Sequence, residues 1–216
     1  LPQFADFILS VGRYALFLLV FFSTAVALND LHREKRLWET VGRSLLYDLA
    51  HAMGLADARS FADHMEVTDP IARLSAGPLH FSHAGWAFVD ILPESNPSPD
   101  QEYYLLFDHP YSFESDAWLN AGKKTDCPVC IMNAGYSSGW CEESFGLPLV
   151  AAEVECLAAG GEHCRFIMAP PSRIETHLAQ YACARGTTHT ATATQQQAGI
   201  IPEFFQRKRL EEEVHQ

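Results

Sequence analysis

Four of the six cysteines lie in two close pairs, and this spacing constrains the fold more than any other feature of the 216-residue chain. Cys156 and Cys164 enclose the step Gly160-Gly161 between two apolar segments, which predicts a β-hairpin with glycine at its tip. With the loop centred on Gly160, the two cysteines face each other with Cβ atoms about 5 Å apart. That separation suits two thiolates on one metal ion and also suits a disulfide, so the hairpin by itself leaves both open.

The segment Cys127-Pro128-Val129-Cys130 supplies a second pair of sulfurs, because cysteines three apart at the start of a helix can turn towards one point. Spacing alone therefore favours a site of four cysteines. Glu153 would point away from Cys156 in a regular strand, so its use as a ligand requires a β-bulge or a strong twist. Reduced buried cysteines without a metal remain an alternative, as does a redox Cys-x-x-Cys pair, although the pair lacks a surrounding parallel βαβ pattern.

The charge balance limits the partners of the chain. With 27 acidic against 15 basic residues, the formal net charge is -12. Phosphate neutralisation, the main source of nucleic-acid affinity, is absent over most of such a surface, so we expect no direct contact with nucleic acid. Neutral or weakly polar small molecules are the easier ligands. Clustered cysteines suit a reducing compartment, so we expect a cytoplasmic protein.

An uncharged apolar run at residues 14–28 falls short of the roughly 20 residues that cross a bilayer. A signal peptide is one interpretation, because Arg13 precedes the run and Ala25-Val26-Ala27 has the form of a cleavage site. A buried helix is favoured, since the cysteine clustering suits a reducing compartment, and we expect no membrane span. The chain does not begin with Met, and we expect it to be an excised part of a longer protein.

Periodicity predicts a mixed α/β fold of the α+β type, in which helices flank an antiparallel sheet, a helix and a β-hairpin together hold the metal, and helices lie at both ends. A helix over residues 13–53 is expected to end at Gly54. A solvated helix at 201–216 is expected after a linker at 187–197. The other predicted helices cover residues 57–65, 112–121 and 128–140, and the predicted strands cover 79–81, 86–92, 103–107, 149–157 and 163–168.

Three stretches resemble the 4-vinyl-reductase-type (4VR) zinc-containing domain, namely residues 130–140 (CIMNAGYSSGW), 153–156 (EVEC) and 161–165 (GEHCR). More narrowly, the chain from about residue 42 to 171 resembles the N-terminal ligand-binding domain of xylene- and phenol-responsive bacterial transcription activators. The resemblance implies a structural zinc ion (Zn2+) held by four side chains, those of Cys130, Glu153, Cys156 and Cys164. With all four positions filled by protein, no coordination position would remain for water.

The same resemblance implies a buried pocket for a small mono-aromatic compound, whose hydroxyl is held by the histidine of a Gly-Pro-x-His stretch. The stretch Gly77-Pro78-Leu79-His80 matches, so His80 is the first candidate. His109 stands where the family has a tryptophan as its second polar contact, and this departure bears on the identity of the ligand. Phe107 and Trp140 are expected to line the pocket. From the residues alone, His80 would lie in a strand, where a histidine is more often a hydrogen-bonded core residue.

The resemblance implies a ligand-sensing regulatory domain at residues 42–171 that is not itself an enzyme. We expect an N-terminal helical dimerisation segment at 1–41, and a linker with a C-terminal signalling helix at 172–216. A homodimer is implied, as is an output domain beyond Gln216, an ATPase transcription activator in that family. Residues 204–213 are also similar to the linkers before kinase modules, so a histidine-kinase sensor stays open. A non-sensing assembly scaffold and a reductase-related enzyme are further alternatives; against the enzyme, the sequence shows no Gly-rich nucleotide loop and no nucleophile elbow.

Overall fold

The computed structural model describes residues 41–123, 125–185 and 202–215. By its internal contacts the chain divides into two units, Leu1–Arg43 and Ser44–Gln216, and the fold below is that of the second. Apart from Val41, the predicted segment 1–41 lies outside the described residues, as does the linker predicted at 187–197. Where the structure describes the chain, no helix has both the length and the apolar character that crossing a membrane requires.

The described residues form six α-helices and four strands around one antiparallel sheet, which confirms the predicted fold class. The helices are α1 (Arg43–Met65), α2 (Pro70–His83), α3 (Phe113–Asn120), α4 (Ile131–Phe145), α5 (Ile174–Ala184) and α6 (Pro202–His215). The strands are β1 (Ala87–Ile91), β2 (Leu105–Ser112), β3 (Val150–Glu155) and β4 (Cys164–Ala169), and their order across the sheet is β1-β2-β4-β3.

Alternation along β2 gives the sheet one face that matters for the site. Leu105, Phe107 and His109 point to the same side, because side chains two apart share a face of a strand. The residues opposite them on β4 are, in the same order, Met168, Phe166 and Cys164. Helices α2 and α4 pack on the sheet at β1 and β3, while α5 contacts β3 and β4. One continuous row of side chains therefore runs from Leu105 to Cys164.

The residues predicted as a strand at 79–81 are the end of helix α2, so that prediction is wrong. The Asp69 carboxylate caps the helix start by accepting the N–H of Ala72 at 2.8 Å, and Pro70 occupies the first turn. Leu74 and Phe81 are the buried residues of this helix and lie two turns apart. A three-residue run of strand-forming side chains is too short to outweigh a capped start and helical spacing.

Gly54 lies inside α1 and does not end a helix, so the break predicted there is also wrong. A Cβ on Gly54 would come within 2.2 Å of the Tyr136 carbonyl oxygen on α4, and a Cβ on Gly139 within 2.1 Å of the His51 carbonyl oxygen on α1. Gly135 makes a third contact of this kind. The glycines allow two helix backbones to approach closely, a requirement of tertiary packing that a cap signal in the sequence imitates.

Helix α4 begins at Ile131, three residues after the predicted start at Pro128, and it continues to Phe145. Cys130 is its N-cap, with a non-helical ψ of 60°, and its N–H donates to the Glu153 carboxylate instead of starting the helix earlier. At the other end Gly146 adopts a φ of 70°, the left-handed conformation that closes a helix. The start of α4 is therefore fixed by a contact with β3.

The C-terminal helix is confirmed as α6, but it is not solvated on all sides. The Phe204 ring packs on the Tyr47 ring at 4.4 Å, and the Lys208 ammonium lies 2.6 Å from a Glu142 carboxylate oxygen. Phe204 and Lys208 are both buried. The sequence shows the pairing of charges within α6, whereas the buried partners come from α1 and α4.

Candidate metal and ligand site

Four acidic side chains converge between the start of α4 and the β3–β4 hairpin, namely Cys130, Glu153, Cys156 and Cys164. All four are buried, and one ligand atom from each lies within 4.8 Å of the others. The sulfurs of Cys130 and Cys164 are 3.5 Å apart. A disulfide requires about 2.05 Å, whereas two sulfurs at 2.3 Å from one tetrahedral ion lie about 3.8 Å apart. The cluster therefore has the spacing of a metal site.

A β-bulge in β3 brings Glu153 to this cluster. Glu153 pairs with Phe166, but Glu155, two residues on, pairs with Arg165, so the register shifts between them. The extra residue turns the strand, and Glu153 and Cys156 reach the same side. The bulge that Glu153 needs in order to act as a ligand is thus present. Beyond it, the Glu155–Arg165 pair has the register predicted from a loop centred on Gly160.

Hydrogen-bond donors surround the cluster. The N–H of Cys130 donates to Glu153 Oε2 at 2.8 Å, and the N–H of Leu157 donates to Cys164 Sγ at 3.4 Å. The hydroxyl of Ser112 lies 3.2 Å from Cys130 Sγ. By contrast, the buried Oε1 atom of Glu153 has no hydrogen-bond partner. Such an oxygen among thiols is what a bound cation would satisfy.

The electrostatics of the cluster point the same way. Burial raises the pKa of Cys130 and of Glu153 well above their ordinary values. Hydrogen bonds from Cys130 and Cys164 lower the pKa of Cys156. Without a cation the cluster thus holds fewer negative charges than its four acids could carry, because several buried anions repel one another. A metal ion would offset that repulsion, so this donor set could hold one.

Cys127, the alternative ligand, is not a member of the cluster. It is half-buried, and its sulfur lies 3.4 Å from the Thr125 hydroxyl. Cys130 points into the cluster from its position as N-cap of α4. The group that converges therefore contains Glu153 in place of Cys127.

A cavity of about 40 Å³ lies between α2, α4 and the sheet. Phe107 and Trp140, the two residues predicted to line a pocket, both form part of its wall. The lining is otherwise mostly apolar and includes Leu74, Phe81, Val89, Ile91, Leu105 and Met168. The cavity is therefore suited to apolar groups and poorly suited to a charged one.

His109 lies on the same sheet face, next to the cavity wall. Its ring is fully buried, 5.4 Å from the Phe107 ring and 5.7 Å from the Phe81 ring, and neither ring nitrogen has a hydrogen-bond partner. Burial lowers the pKa of His109 to about 3, so the ring is neutral at pH 7. A neutral imidazole offers one donor and one acceptor, and here both are unused.

His80 is placed differently from His109. It belongs to helix α2 and stacks on the Trp140 indole with ring centres 5.0 Å apart. Its Nε2 atom lies 3.7 Å from an Asp57 carboxylate oxygen, and 37% of its side chain is exposed. His80 is therefore near the cavity through Trp140, and its imidazole is not sequestered as that of His109 is.

The sequence interpretation missed the contribution of α2 to the cavity. Four lining residues of this helix, Leu74, Gly77, Pro78 and Phe81, have the spacing of a single helical face. The start signal Asp69-Pro70 and this spacing were both available in the sequence. Met168, by contrast, reaches the cavity through the pairing of β4 with β2, which no local pattern specifies.

Residues 111–170 match the vinyl-4-reductase (4VR) domain family, so this part of the chain is a 4VR domain. The matched segment contains all four residues of the metal cluster together with Ser112 and Trp140. His80, Phe107 and His109 precede it.

Two relatives are phenol regulators by name. The phenol regulator MopR from Acinetobacter guillouiae is 29% identical over 146 residues, which cover 67% of this chain and 24% of that protein. The chain thus spans about a quarter of the length of this curated relative. The crystal structure of the phenol-responsive sensory domain of the transcription activator PoxR with phenol matches with a TM-score of 0.57 and 27% identity, covering 72% of this chain and 80% of that chain.

A vinyl-4-reductase family protein from Methanocaldococcus jannaschii matches more distantly, with a TM-score of 0.40 and 20% identity over 73% of this chain and 78% of that chain. A similarity at this level supports no functional argument.

Proposed function

We propose that this chain is the ligand-sensing regulatory part of a larger signalling protein, and that it binds a small neutral aromatic molecule with one hydrogen-bonding group. The observation that carries this proposal is His109, a buried histidine with two unpaired ring nitrogens beside an apolar cavity. A buried polar group without a partner costs free energy, so such groups in folded proteins commonly serve a ligand or a reaction. The names of MopR and PoxR, which refer to phenol, support the choice of an aromatic hydroxyl compound.

The size and polarity of the pocket restrict the ligand. A cavity of about 40 Å³ is smaller than the roughly 150 Å³ that admits benzene in an engineered protein, so an aromatic ring requires movement of lining side chains. Phe107 and Trp140 are the large rings of the wall that would contact it. A hydroxyl of the ligand would pair with His109, and His80 is the second candidate if it turns away from Asp57.

The metal in this proposal is zinc in a structural role. Three thiolates and one carboxylate form a complete tetrahedral donor set for this ion, with Cys130, Glu153, Cys156 and Cys164 as its ligands. Zinc held in this way supplies cross-linking of α4 to the hairpin and no open position for chemistry. Because Cys164 lies opposite His109 in the sheet, the ion would stiffen the strand pair that carries the ligand contact.

The output side of the proposal concerns residues beyond the 4VR domain. Helix α6, at the end of the predicted segment 172–216, is held on α1 and α4 by buried contacts of Phe204 and Lys208. Since Trp140 of the cavity wall lies two residues before Glu142, the partner of Lys208, movement of α4 would reach α6 directly. We propose that α6 passes ligand occupancy to an output domain beyond Gln216, an ATPase transcription activator, within a cytoplasmic homodimer. In this proposal the chain itself has no enzymatic activity and makes no nucleic-acid contact.

Calorimetric titration of the zinc-loaded protein with phenol, toluene and benzoate tests the proposal. Phenol should bind most tightly, toluene more weakly because it cannot pair with His109, and benzoate least because its charge must be desolvated. The His109→Phe variant should weaken phenol binding by about 1 to 3 kcal/mol while toluene binding changes little. His80→Ala tests the second histidine in the same way. Absence of binding by all three aromatic compounds would count against a sensor and favour an assembly scaffold.

A further inference from the structure

The last residue of β2, Ser112, connects the ligand strand with the metal cluster. Its hydroxyl oxygen lies 3.2 Å from Cys130 Sγ. The same oxygen accepts an N–H of the Asn133 side chain at 2.7 Å and the backbone N–H of Ser115 at 3.5 Å. Because these two groups occupy the acceptor positions of the hydroxyl, its own proton is left for the Cys130 sulfur.

The surroundings make this hydrogen bond a strong one. Ser112, Cys130 and Asn133 are each at most 1% exposed, so water does not compete for the contact. A hydroxyl donating to a thiolate gains from the charge of the sulfur. The Glu114 carboxylate accepts the N–H groups of Met132 and Asn133 at 3.0 and 2.9 Å, which ties the first turn of α4 to the same junction between β2 and α3.

Strand β2 therefore touches the metal cluster at two points. His109, three residues before Ser112, pairs across the sheet with Cys164. Ser112 reaches Cys130 through its hydroxyl. A molecule that binds His109 thus acts on a strand that contacts one cluster cysteine through the backbone and another through a side chain.

We propose that Ser112 is a positioning residue that orients the Cys130 sulfur for the metal and makes the metal site respond to a ligand at His109. The second half of this proposal rests on the proposed sensing function. If ligand and metal are coupled through β2, each changes the affinity of the other by the same factor. Partners in the surroundings of metal ligands typically alter metal affinity about 10- to 100-fold when they are removed.

Cobalt(II) is a suitable probe, because its bonds to sulfur absorb visible and near-ultraviolet light and report the geometry at each thiolate. Cobalt affinity, measured by competition with a chelator, should fall about tenfold or more in Ser112→Ala. Ser112→Thr keeps the hydroxyl and should restore the wild-type value. Ser115→Ala is the matched control, since its side chain donates to the Ser112 carbonyl and not to the cluster.

In the second arm, phenol is added to the cobalt-loaded proteins. The sulfur-to-cobalt absorption should shift in the wild type and stay unchanged in Ser112→Ala, even where calorimetry shows that phenol still binds. If Ser112→Ala does not fold, Asn133→Ala, which removes the side-chain donor that orients the hydroxyl, should lower cobalt affinity in the same direction.

The outcomes separate this proposal from the sensing function. Cobalt affinity and spectrum equal to wild type in Ser112→Ala would overturn the role of Ser112, whatever phenol does. A wild-type protein that binds cobalt and no phenol would end the sensing function and the coupling, while the chelator competition still decides the positioning role. A wild-type protein that binds no cobalt would overturn the metal site and the role of Ser112 together.

Discussion

Replacing His109 with phenylalanine is expected to stabilise the ligand-free domain while it removes the partner for a ligand hydroxyl. The buried ring has two nitrogens without hydrogen bonds, and each unsatisfied polar group costs about 1 to 3 kcal/mol. Phenylalanine removes that cost but is slightly larger, and overpacking costs about 1 to 3 kcal/mol. We expect the free energy of unfolding at pH 7 to rise by about 1 to 3 kcal/mol.

The advantage of the variant should grow as the pH falls. His109 has a pKa of about 3 in the folded protein against an ordinary value of 6.5, so below pH 6.5 the unfolded chain takes up a proton that the folded chain does not. Stability from the neutral ring is therefore complete above pH 6.5 and is lost progressively towards pH 3. One pH unit corresponds to about 1.4 kcal/mol, which gives a loss of about 2 kcal/mol between pH 7 and pH 5 in the wild type.

Urea unfolding of the zinc-loaded wild type, His109→Phe and the control His64→Phe at pH 7 and pH 5 measures both effects. His64 is exposed, so the control makes the same chemical change without removing a buried imidazole. Protonation of the thiolates affects all three proteins alike and cancels in the comparison. The reasoning is refuted if His109→Phe is less stable than wild type at both pH values, or if the difference between them does not change with pH.

The other predictions concern the cluster, the helix packing and α6. Cys164→Ser should abolish metal binding and folding together, whereas Cys127→Ser should keep one zinc per chain; metal analysis that finds no zinc in Cys127→Ser would restore the four-cysteine site. Gly139→Ala should cost about 3 kcal/mol in chemical denaturation, because a Cβ there would meet a backbone oxygen at 2.1 Å. Gly85→Ala, with open space around it and a φ of 77°, should cost only about 1 kcal/mol, and equal losses would contradict the packing argument. Lys208→Met should speed hydrogen exchange across α6 by leaving the Glu142 carboxylate unpaired, and the added change Glu142→Gln should slow it again; no effect in the single variant would mean that this pair does not hold the helix.

The sequence determined those features whose causes lie within a few residues of each other. Gly160 adopts the left-handed φ of 92° that the hairpin tip requires, and Ser112 caps α3 as its position before an acidic first turn predicts. Cys156 and Cys164 could be placed across from each other because a hairpin fixes its own register at the loop. For the same reason the strands β1, β2, β3 and β4 were found within a few residues of their ends.

Only the tertiary structure decided which residues complete the site. Local pattern ranked Cys127 above Glu153, and the order reverses because a bulge in β3 turns the carboxylate inward while the N–H of Cys130 binds it. His109 is an isolated polar residue in the sequence, and its importance comes from burial among rings supplied by α2 and β4. Gly54 reads as a helix end until the α4 backbone is found against it. In each case the deciding contact joins residues far apart in the chain, and a local pattern cannot contain the free energy of such a contact.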